Sequence, residues 1–474
     1  MHKSWLVAAA LFVPALTCLP ASQTSSGEQR FRELYKELVE TNTTLSAGSC
    51  TLAAERMAAH LRSAGFTESQ LHLFAAPGHP QEGGLVAVFP GRDAKLKAVL
   101  MLAHLDVVEA RREDWTRDPF TLVEENGNFY ARGAVDDKAE AAIWVDTLVR
   151  FGEQHVKPLR SVKLALTCGE ETAGAFNGAE WLSQHQRDLI DAAFAINEGA
   201  RGELDAAGRR VALEVQAGEK TAQNFRLEVT NPGGHSSLPV RNNAIYHLAA
   251  ALLKIADYTF PPQFTDANRA YFSGMAKIQA ARGATDVANA MQALVRDPGD
   301  ARAIALVSAQ DPSWNSTLRT TCVATMLDAG HATNALPQRA RANVNCRIFP
   351  GVAPETVRAK LEELVADPEV KVTTLEIRGP SSPPPPLTPQ ILAPVEKLAA
   401  QAWPGVPVLP MLQPGATDGQ FLNAVGIPTY GIDPLFLGPD FGHIHGLNEY
   451  LAVESLMQCR DFLYQLIKIY ANEK

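Results

Sequence analysis

The sequence lacks several features that mark large classes of protein. It has 474 residues and a formal net charge of −9, and no cluster of basic residues is visible, so nucleic acid is not an expected partner. Beyond the N-terminus, no run is apolar and long enough for a membrane helix, so no membrane span is expected. Ser236 and Ser237 lack the Gly-x-Ser-x-Gly setting of a serine nucleophile. A soluble globular protein with a different chemistry is therefore predicted.

Cysteine is also scarce. Six cysteines occur, and five remain if Cys18 is removed with the N-terminus, none with zinc-knuckle spacing. Any disulfide is therefore optional, and buried free thiols are expected for most of them. Cys168 follows an apolar run and is expected to be a packed thiol rather than a nucleophile. The five residues are Cys50, Cys168, Cys322, Cys346 and Cys459.

The N-terminus has the pattern of a signal peptide. A short basic start is followed by the apolar run Trp5 to Leu16, which is too short to span a bilayer, and then by polar residues. We expect residues 1–22 to be removed and the protein to be exported, to the periplasm or the extracellular space. Lipidation of Cys18 is the alternative, which the bulky Thr17 before it disfavours.

The chain is long enough for two domains. From residue 28 to 216, helical patterns alternate with apolar runs such as Val162 to Thr167, which is typical of strands covered by helices on both faces. Residues 387–474 return to this rhythm after a proline-rich linker. We predict an α/β fold with a mostly parallel central sheet flanked by helices, formed by these two parts together.

Between them the pattern changes. Asn224 to Val229 and Arg341 to Ile348 alternate apolar and polar residues, as half-exposed strands do. Residues 217–378 are therefore predicted to form an inserted α+β domain, which includes a largely helical stretch from Ala244 to Val307.

Polar residues follow three of the predicted buried strands. His104 and Asp106 follow the first, Glu170 and Glu171 the second, and Glu198 the third. In open α/β sheets the ligand crevice lies beyond the carboxyl ends of the strands, so these side chains are expected to meet there. Taken singly, each group is equally well explained as a surface turn.

Two further segments add metal-ligand chemistry. Asp136 and Asp137 precede a helical stretch, where helix capping is the alternative explanation. His445 lies in a loop near the C-terminus that ends in a capping-type Asn448–Glu449 pair. One or two histidines with several carboxylates fit zinc better than calcium or magnesium.

These motifs, in this order from about Glu28 to Tyr470, resemble the di-zinc metallopeptidase family. That family includes glutamate carboxypeptidase, aminoacylase, succinyl-diaminopimelate desuccinylase and carnosinase. The resemblance implies a zinc-peptidase fold with an inserted lid or dimerisation domain, two Zn²⁺ or other divalent cations, and hydrolysis of an amide bond. Ala131, Ala139 and Glu109 depart from the family pattern without removing a ligand.

The resemblance also implies a role for each residue. Asp136 would bridge two zinc ions, with Asp106 orienting a histidine ligand and Glu170 acting as general base for a hydroxide shared by the ions. The remaining ligands would be His104 with Glu198 on one ion and His445 with Glu171 on the other.

Four residues match family positions that contact the substrate. His235, after Gly233–Gly234, would stabilise the oxyanion, and Asn334, Arg347 and Gly415 would hold the substrate. Arg347 predicts a small peptide or N-acyl amino acid with a free carboxylate, because a guanidinium matches that group. A homodimer is expected. The alternative is a catalytically inactive zinc-dependent peptide-binding protein, which the presence of Glu170 opposes.

Overall fold

The computed structural model describes residues 26–172, 175–377 and 379–473. The predicted signal peptide and Cys18 lie outside the described residues. The helices are α1 (Ser26–Glu40), α2 (Cys50–Ser63), α3 (Lys138–Glu153), α4 (Gly178–His185), α5 (Arg187–Ile190), α6 (Ala244–Asp257), α7 (Asp266–Ala281), α8 (Thr285–Arg296), α9 (Ala301–Gln310), α10 (Pro312–Leu318), α11 (Pro354–Val365), α12 (Pro389–Ala402), α13 (Gly419–Ala424) and α14 (Val453–Tyr470).

The strands up to the end of the first long hairpin are β1 (Leu71–Phe74), β2 (Gly84–Phe89), β3 (Ala98–His104), β4 (Val123–Glu125), β5 (Asn128–Tyr130), β6 (Val162–Thr167), β7 (Ala192–Asn197), β8 (Gly202–Leu204), β9 (Arg210–Glu219) and β10 (Thr221–Thr230). The later strands are β11 (Gly234–His235), β12 (Thr321–Ala329), β13 (Ala335–Leu336), β14 (Arg339–Ile348), β15 (Val370–Ile377), β16 (Val408–Gln413), β17 (Thr429–Gly431), β18 (Phe436–Leu437) and β19 (Tyr450–Ala452).

A ten-stranded sheet forms the main body. Its order is β1-β2-β6-β3-β7-β17-β9-β8-β18, with β16 paired to β9. The central strands β6, β3, β7 and β17 are parallel, whereas β1 and β2 pair antiparallel at one edge. Every residue of β3 is buried, as expected of a strand covered on both faces. The predicted α/β class with a mostly parallel central sheet flanked by helices is confirmed.

A second sheet of four antiparallel strands has the order β12-β14-β10-β15. Buried and less buried residues alternate along β14, with Ala340, Ala342, Val344, Cys346 and Ile348 facing the core. Helices α6 and α11 pack against the buried face, where their leucines and valines complete a separate apolar core. We call this unit, β10 to β15 with α6 and α11, the lid.

Helices α7 to α10 do not pack on the lid. They form a third apolar cluster with Val211 and Ala212 of β9 and Leu409 of β16, so they cover an edge of the ten-stranded sheet. The predicted helical pattern of this stretch agrees with the structure. These helices share an apolar cluster with the ten-stranded sheet rather than with the lid. The predicted boundaries at 217 and 378 stay a prediction.

The cysteine prediction was wrong. Cys50 is bonded to Cys168, and Cys322 is bonded to Cys346. Cys322 and Cys346 lie directly opposite each other on β12 and β14, and the first pair joins the start of α2 to the end of β6. Sequence spacing does not reveal either contact. Among the described residues only Cys459 remains a buried free thiol.

None of the helices that the structure describes is both long and apolar enough to cross a membrane.

Candidate metal centre

The ends of three parallel strands place the first group of polar side chains at one edge of the large sheet. His104 is the last residue of β3 and lies opposite Thr167 of β6, while β7 pairs with β3 on the other side. Glu170 and Glu171 therefore follow β6, and Glu198 follows β7, next to His104. The expected convergence at the carboxyl ends of the strands is present.

Two loops bring the remaining side chains. Asp136 lies directly before α3, and His445 lies in the turn before β19. The two oxygens of Asp136 face different histidines. One lies 3.1 Å from Nε2 of His104, and the other lies 3.2 Å from Nε2 of His445. Each histidine also faces a glutamate. His104 Nε2 lies 3.7 Å from Glu198 Oε1, and His445 Nε2 lies 2.9 Å from Glu171 Oε1.

The donor set suits divalent metal ions. Potential ligand atoms of His104, Asp136 and Glu171, and again of His104, Glu170 and Glu198, all lie within 4.8 Å of one another. Burial raises the pKa values of Glu170, Glu171 and Glu198, and neighbouring carboxylates raise them further. A pocket with more carboxylates than imidazoles therefore needs added positive charge. Nitrogen and oxygen donors in this mixture fit zinc.

The backbone fixes the orientation of His104. Its Nδ1 lies 3.0 Å from the backbone carbonyl oxygen of Asp106, whereas the carboxylate of Asp106 is 3.7 Å away. A carbonyl only accepts, so Nδ1 donates, which leaves Nε2, the nitrogen that faces Asp136 and Glu198, as the atom that could bind a metal ion. The carboxylate of Asp137 accepts the backbone N–H of His104 at 3.1 Å. Asp137 makes no side-chain cap bond to α3, so capping does not explain it.

The carboxylate of Asp106 holds the loop with the two glutamates. One oxygen accepts the backbone N–H groups of Gly169 and Glu170 at 2.7 and 3.3 Å, and the other accepts that of Glu171 at 3.0 Å. The predicted role of Asp106 in orienting His104 stays a prediction, and in this structure its backbone carbonyl rather than its carboxylate lies within hydrogen-bond distance of the ring. Asp106 is 4% exposed, so these three bonds are shielded from water.

The roles of two buried carboxylates beside the site were not predicted from the sequence. Asp418 accepts hydrogen bonds from Thr167 Oγ1 at 2.9 Å and from Asn177 Nδ2 at 2.6 Å, and it lies close enough to Glu170 to raise the pKa of that carboxyl. Glu449 is fully buried and accepts the backbone N–H groups of the loop that carries Asp136. Its pairing with Asn448 suggested a helix cap, which hid this contact.

The four substrate-contact candidates come from the lid and from the loop after β16. His235 is exposed on β11, where its Nδ1 accepts a hydrogen bond from Ser237 Oγ at 2.7 Å. Asn334 is also exposed, and Arg347 is half-buried near the end of β14. Gly415 follows β16. Among the contacts of the described residues, none joins His235 or Asn334 to the metal-ligand candidates.

Comparison with known proteins agrees with this geometry. Residues 100–469 match peptidase family M20/M25/M40. The mouse (Mus musculus) N-fatty-acyl-amino acid synthase/hydrolase PM20D1 is 28% identical over 392 residues, which cover 80% of this chain and 75% of that protein.

Two solved structures share the fold. The M20 family metallo-carboxypeptidase Sso-CP2 from Sulfolobus solfataricus has a TM-score of 0.70 at 18% identity, covering 93% of this chain and 99% of that one. The Bacillus subtilis protein YXEP, described as a dinuclear metal-binding peptidase of the M20 family, has a TM-score of 0.56 at 13% identity, covering 93% and 97%. The chain therefore belongs to peptidase family M20/M25/M40, which confirms both the predicted family and the predicted enzyme class.

Proposed function

We propose that the protein is an exported zinc-dependent hydrolase that cleaves the amide bond of small peptides or N-acyl amino acids. The observation that carries the proposal is the meeting of two imidazoles and three carboxylates in one pocket, with Glu170 beside them. Family membership supports hydrolysis. The mouse relative is named for N-fatty-acyl amino acids and the Sulfolobus protein for carboxypeptidase activity.

Five residues would hold two Zn²⁺ ions. The pairing of His104 with Glu198, and of His445 with Glu171, supports one ion at each pair. Asp136 would bind both, because its two oxygens point towards different histidines. The same donors accept other divalent transition metals. The Bacillus protein's description as dinuclear favours two ions.

Glu170 is proposed as the general base. Zinc, when bound, supplies polarisation of the scissile carbonyl and acidifies water. A carboxylate oxygen of Glu170 takes one proton from the attacking water as the oxygen–carbon bond forms. The same carboxyl then gives that proton to the nitrogen of the leaving amine as the carbon–nitrogen bond breaks.

Arg347 is proposed to bind the carboxylate of the substrate, and Gly415 and Asn334 to contact its amide. Arg347 lies opposite Ala222 and Thr321, where the lid joins the large sheet. Lys220 is buried at the same junction, and burial together with the positive charge of Arg347 lowers its pKa to about 7. A bound carboxylate there would be attracted by both cationic groups.

A homodimer is proposed to complete the site. His235 is exposed and makes no hydrogen bond or ion pair with the metal-ligand candidates among the described residues, which supports its delivery to a substrate by lid movement or from a second copy of the chain. Strand β12 is an edge of the lid sheet, and Val323, Met326 and Leu327 on it are 59%, 72% and 67% exposed. An exposed apolar edge strand is a template for pairing with another chain.

Export is proposed on the N-terminal pattern. Two disulfides among the described residues support an oxidising compartment. Mass spectrometry of the protein recovered from the periplasm or medium should show an N-terminus near residue 22. Recovery from the cytoplasm with Met1 retained would contradict export.

The central test compares wild type with Glu170→Gln. Metal analysis should find two zinc ions per chain in both proteins, while hydrolysis of a dipeptide and N-acyl amino acid panel falls by about 10²–10⁴-fold in the variant. Glu180→Gln, on α4, is the matched control, because its carboxylate accepts a hydrogen bond from Gln184 on the same helix and is not one of the proposed ligands. Unchanged activity of Glu170→Gln would exclude the proposed base.

The same panel distinguishes the proposed hydrolase from the alternative, a catalytically inactive binding protein. An inactive zinc-dependent peptide-binding protein would bind the peptides with both zinc ions present and hydrolyse none of them.

A further inference from the structure

A second cavity adjoins the metal pocket. Its volume is about 410 Å³, and Arg201 and Gln413 line both spaces. The side-chain amide of Gln413 donates a hydrogen bond to the carbonyl of Gly199, directly after Glu198. A substrate held at the metal pocket can therefore extend past these residues into the second cavity.

The walls of this cavity come from different parts of the chain. Tyr271 and Met275 of α7 and Trp314 of α10 supply apolar and aromatic surface. Strands β8 and β9 supply Glu203 and Glu214. Most of the remaining lining residues are polar or charged, so the cavity suits a ligand that combines an apolar part with a polar group.

Glu203 and Glu214 have no partner of opposite charge in contact. Within the described part of the chain, no ion pair shorter than 4.0 Å and no side-chain hydrogen bond involves either carboxylate. Both are half-buried, and burial raises the pKa of Glu214 to about 7. Half-buried carboxylates without partners are costly unless a ligand or water satisfies them.

Arg201 does not satisfy them. Its guanidinium stacks on Phe441 at 4.1 Å from the ring centroid, and it interacts electrostatically with Glu203, Glu214, Asp136 and Asp433 together. Arg282 also lines the cavity and attracts Glu203, but among the described residues neither arginine lies within ion-pair distance of Glu203 or Glu214. The group that this corner of the cavity lacks is therefore a cation in direct contact with these two carboxylates.

We propose that this cavity binds a substrate side chain or acyl group with an aliphatic stem and a terminal ammonium or guanidinium group, which pairs with Glu203 and Glu214. The inference rests on the proposed hydrolase function and names its substrate class. A long alkyl chain fits less well, because it would desolvate these carboxylates without replacing water as a partner. The stem contacts Met275 and Trp314.

The test uses matched dipeptides. Lysine and norleucine have similar stems, but only lysine carries the ammonium, and each is placed before and after the scissile bond with alanine as partner. At one of the two positions, kcat/KM for lysine should exceed that for norleucine by on the order of tenfold, as expected for a charge-assisted contact. In the Glu203→Gln/Glu214→Gln double variant this ratio should fall to about one, because the ammonium loses its partners and the norleucine side chain no longer desolvates two carboxylates.

Two further variants serve as controls. Glu454→Gln removes a carboxylate that is 78% exposed and lies outside the cavity, and it should leave the ratio as in wild type. Gln279→Trp adds bulk from α7 and should reduce hydrolysis of both long peptides while sparing alanyl-alanine. It tests the cavity independently if the double variant does not fold.

A lysine preference that is missing at both positions, or that survives the double variant, overturns the inference. Preferred cleavage of long-chain N-acyl amino acids over all lysine peptides would overturn it as well. If wild type hydrolyses no peptide, the proposed function fails. Titration calorimetry with the Glu170→Gln protein then tests the cavity inference separately from hydrolysis. The lysine peptide must still bind more tightly than the norleucine peptide.

Discussion

Removing the carboxylate of Glu449 should weaken both the fold and zinc binding. Its Oε2 lies 2.6 Å from the guanidinium of Arg132 and accepts the backbone N–H of Gly133 at 3.1 Å. Its Oε1 accepts the N–H groups of Val135 and Asp136 at 2.8 and 3.2 Å. One side chain therefore holds the loop that presents Asp136, the proposed bridging ligand.

The size of the effect follows from burial. The side chains of Arg132 and Glu449 are 3% and 0% exposed. Burial raises the pKa of Glu449 despite the attraction of Arg132 and the backbone N–H groups, so the desolvation cost of the pair is large. Glu449→Gln leaves Arg132 charged, buried and unpaired, which should cost about 3–5 kcal/mol of unfolding free energy. Loss of the support to Asp136 should weaken zinc binding by roughly 10–100-fold.

Urea unfolding of EDTA-treated protein measures the first quantity, and competition with a chromophoric chelator measures the second. Glu363→Gln, an exposed carboxylate on α11, is the control. Arg132→Met combined with Glu449→Gln should be more stable than Glu449→Gln alone, because no buried charge is left without a partner. The reasoning is refuted if Glu449→Gln lowers the unfolding free energy by less than about 1 kcal/mol. It is also refuted if the double variant is destabilised by the sum of the losses of Glu449→Gln and Arg132→Met measured singly.

Four other outcomes are expected. Arg347→Ala should lower kcat/KM for substrates with a free carboxylate by roughly 10–100-fold and leave amidated analogues unchanged; equal effects on both would exclude carboxylate binding. Replacing Cys50 and Cys168 together by serine should cost roughly 4–5 kcal/mol in urea unfolding, since their bond closes a long loop; an unchanged midpoint would contradict this. Hydrogen bonds to Asp136 and Glu171 raise the pKa of His445 from 6.5 to about 10. Its contribution to the stability of the metal-free protein should therefore be full below pH 6.5 and be lost as the pH rises through about 10. Urea unfolding midpoints that do not change between about pH 6 and 10 would refute this prediction. Met326→Glu should yield monomers by light scattering, and a persisting dimer would exclude the β12 edge.

The strand ends could be predicted from the sequence because their pattern is local. His104, Glu170 and Glu198 each follow an apolar run, and the parallel arrangement of such runs brings their ends together. Asp136 and His445 needed the family resemblance, since a loop before a helix has many uses. The lid strands were predicted because alternation along β14 reflects one buried face.

The remaining features depend on contacts between distant segments. Cys50 and Cys168 are separated by 118 residues, and nothing in their spacing predicts the bond. Glu449 resembled a helix cap, but its carboxylate serves a loop more than 300 positions earlier in the chain. Helices α7 to α10 have an ordinary apolar face, and that face does not reveal which sheet it covers. Packing partners, rather than element types, were the missing information.

The pocket's electrostatics connect metal binding to protons. Glu171 and Glu198 have raised pKa values because burial disfavours their charged forms, whereas the carboxylates around His445 favour its protonated form. Without a cation, these groups reduce their mutual repulsion by holding protons. A zinc ion needs deprotonated ligands, so its binding must displace those protons. If the proposed ions bind here, the close packing that aligns the donors should therefore make metal affinity fall on acidification. In the metal-free protein, protonated His445 should stabilise the fold at neutral pH, and a bound metal ion would replace this contribution.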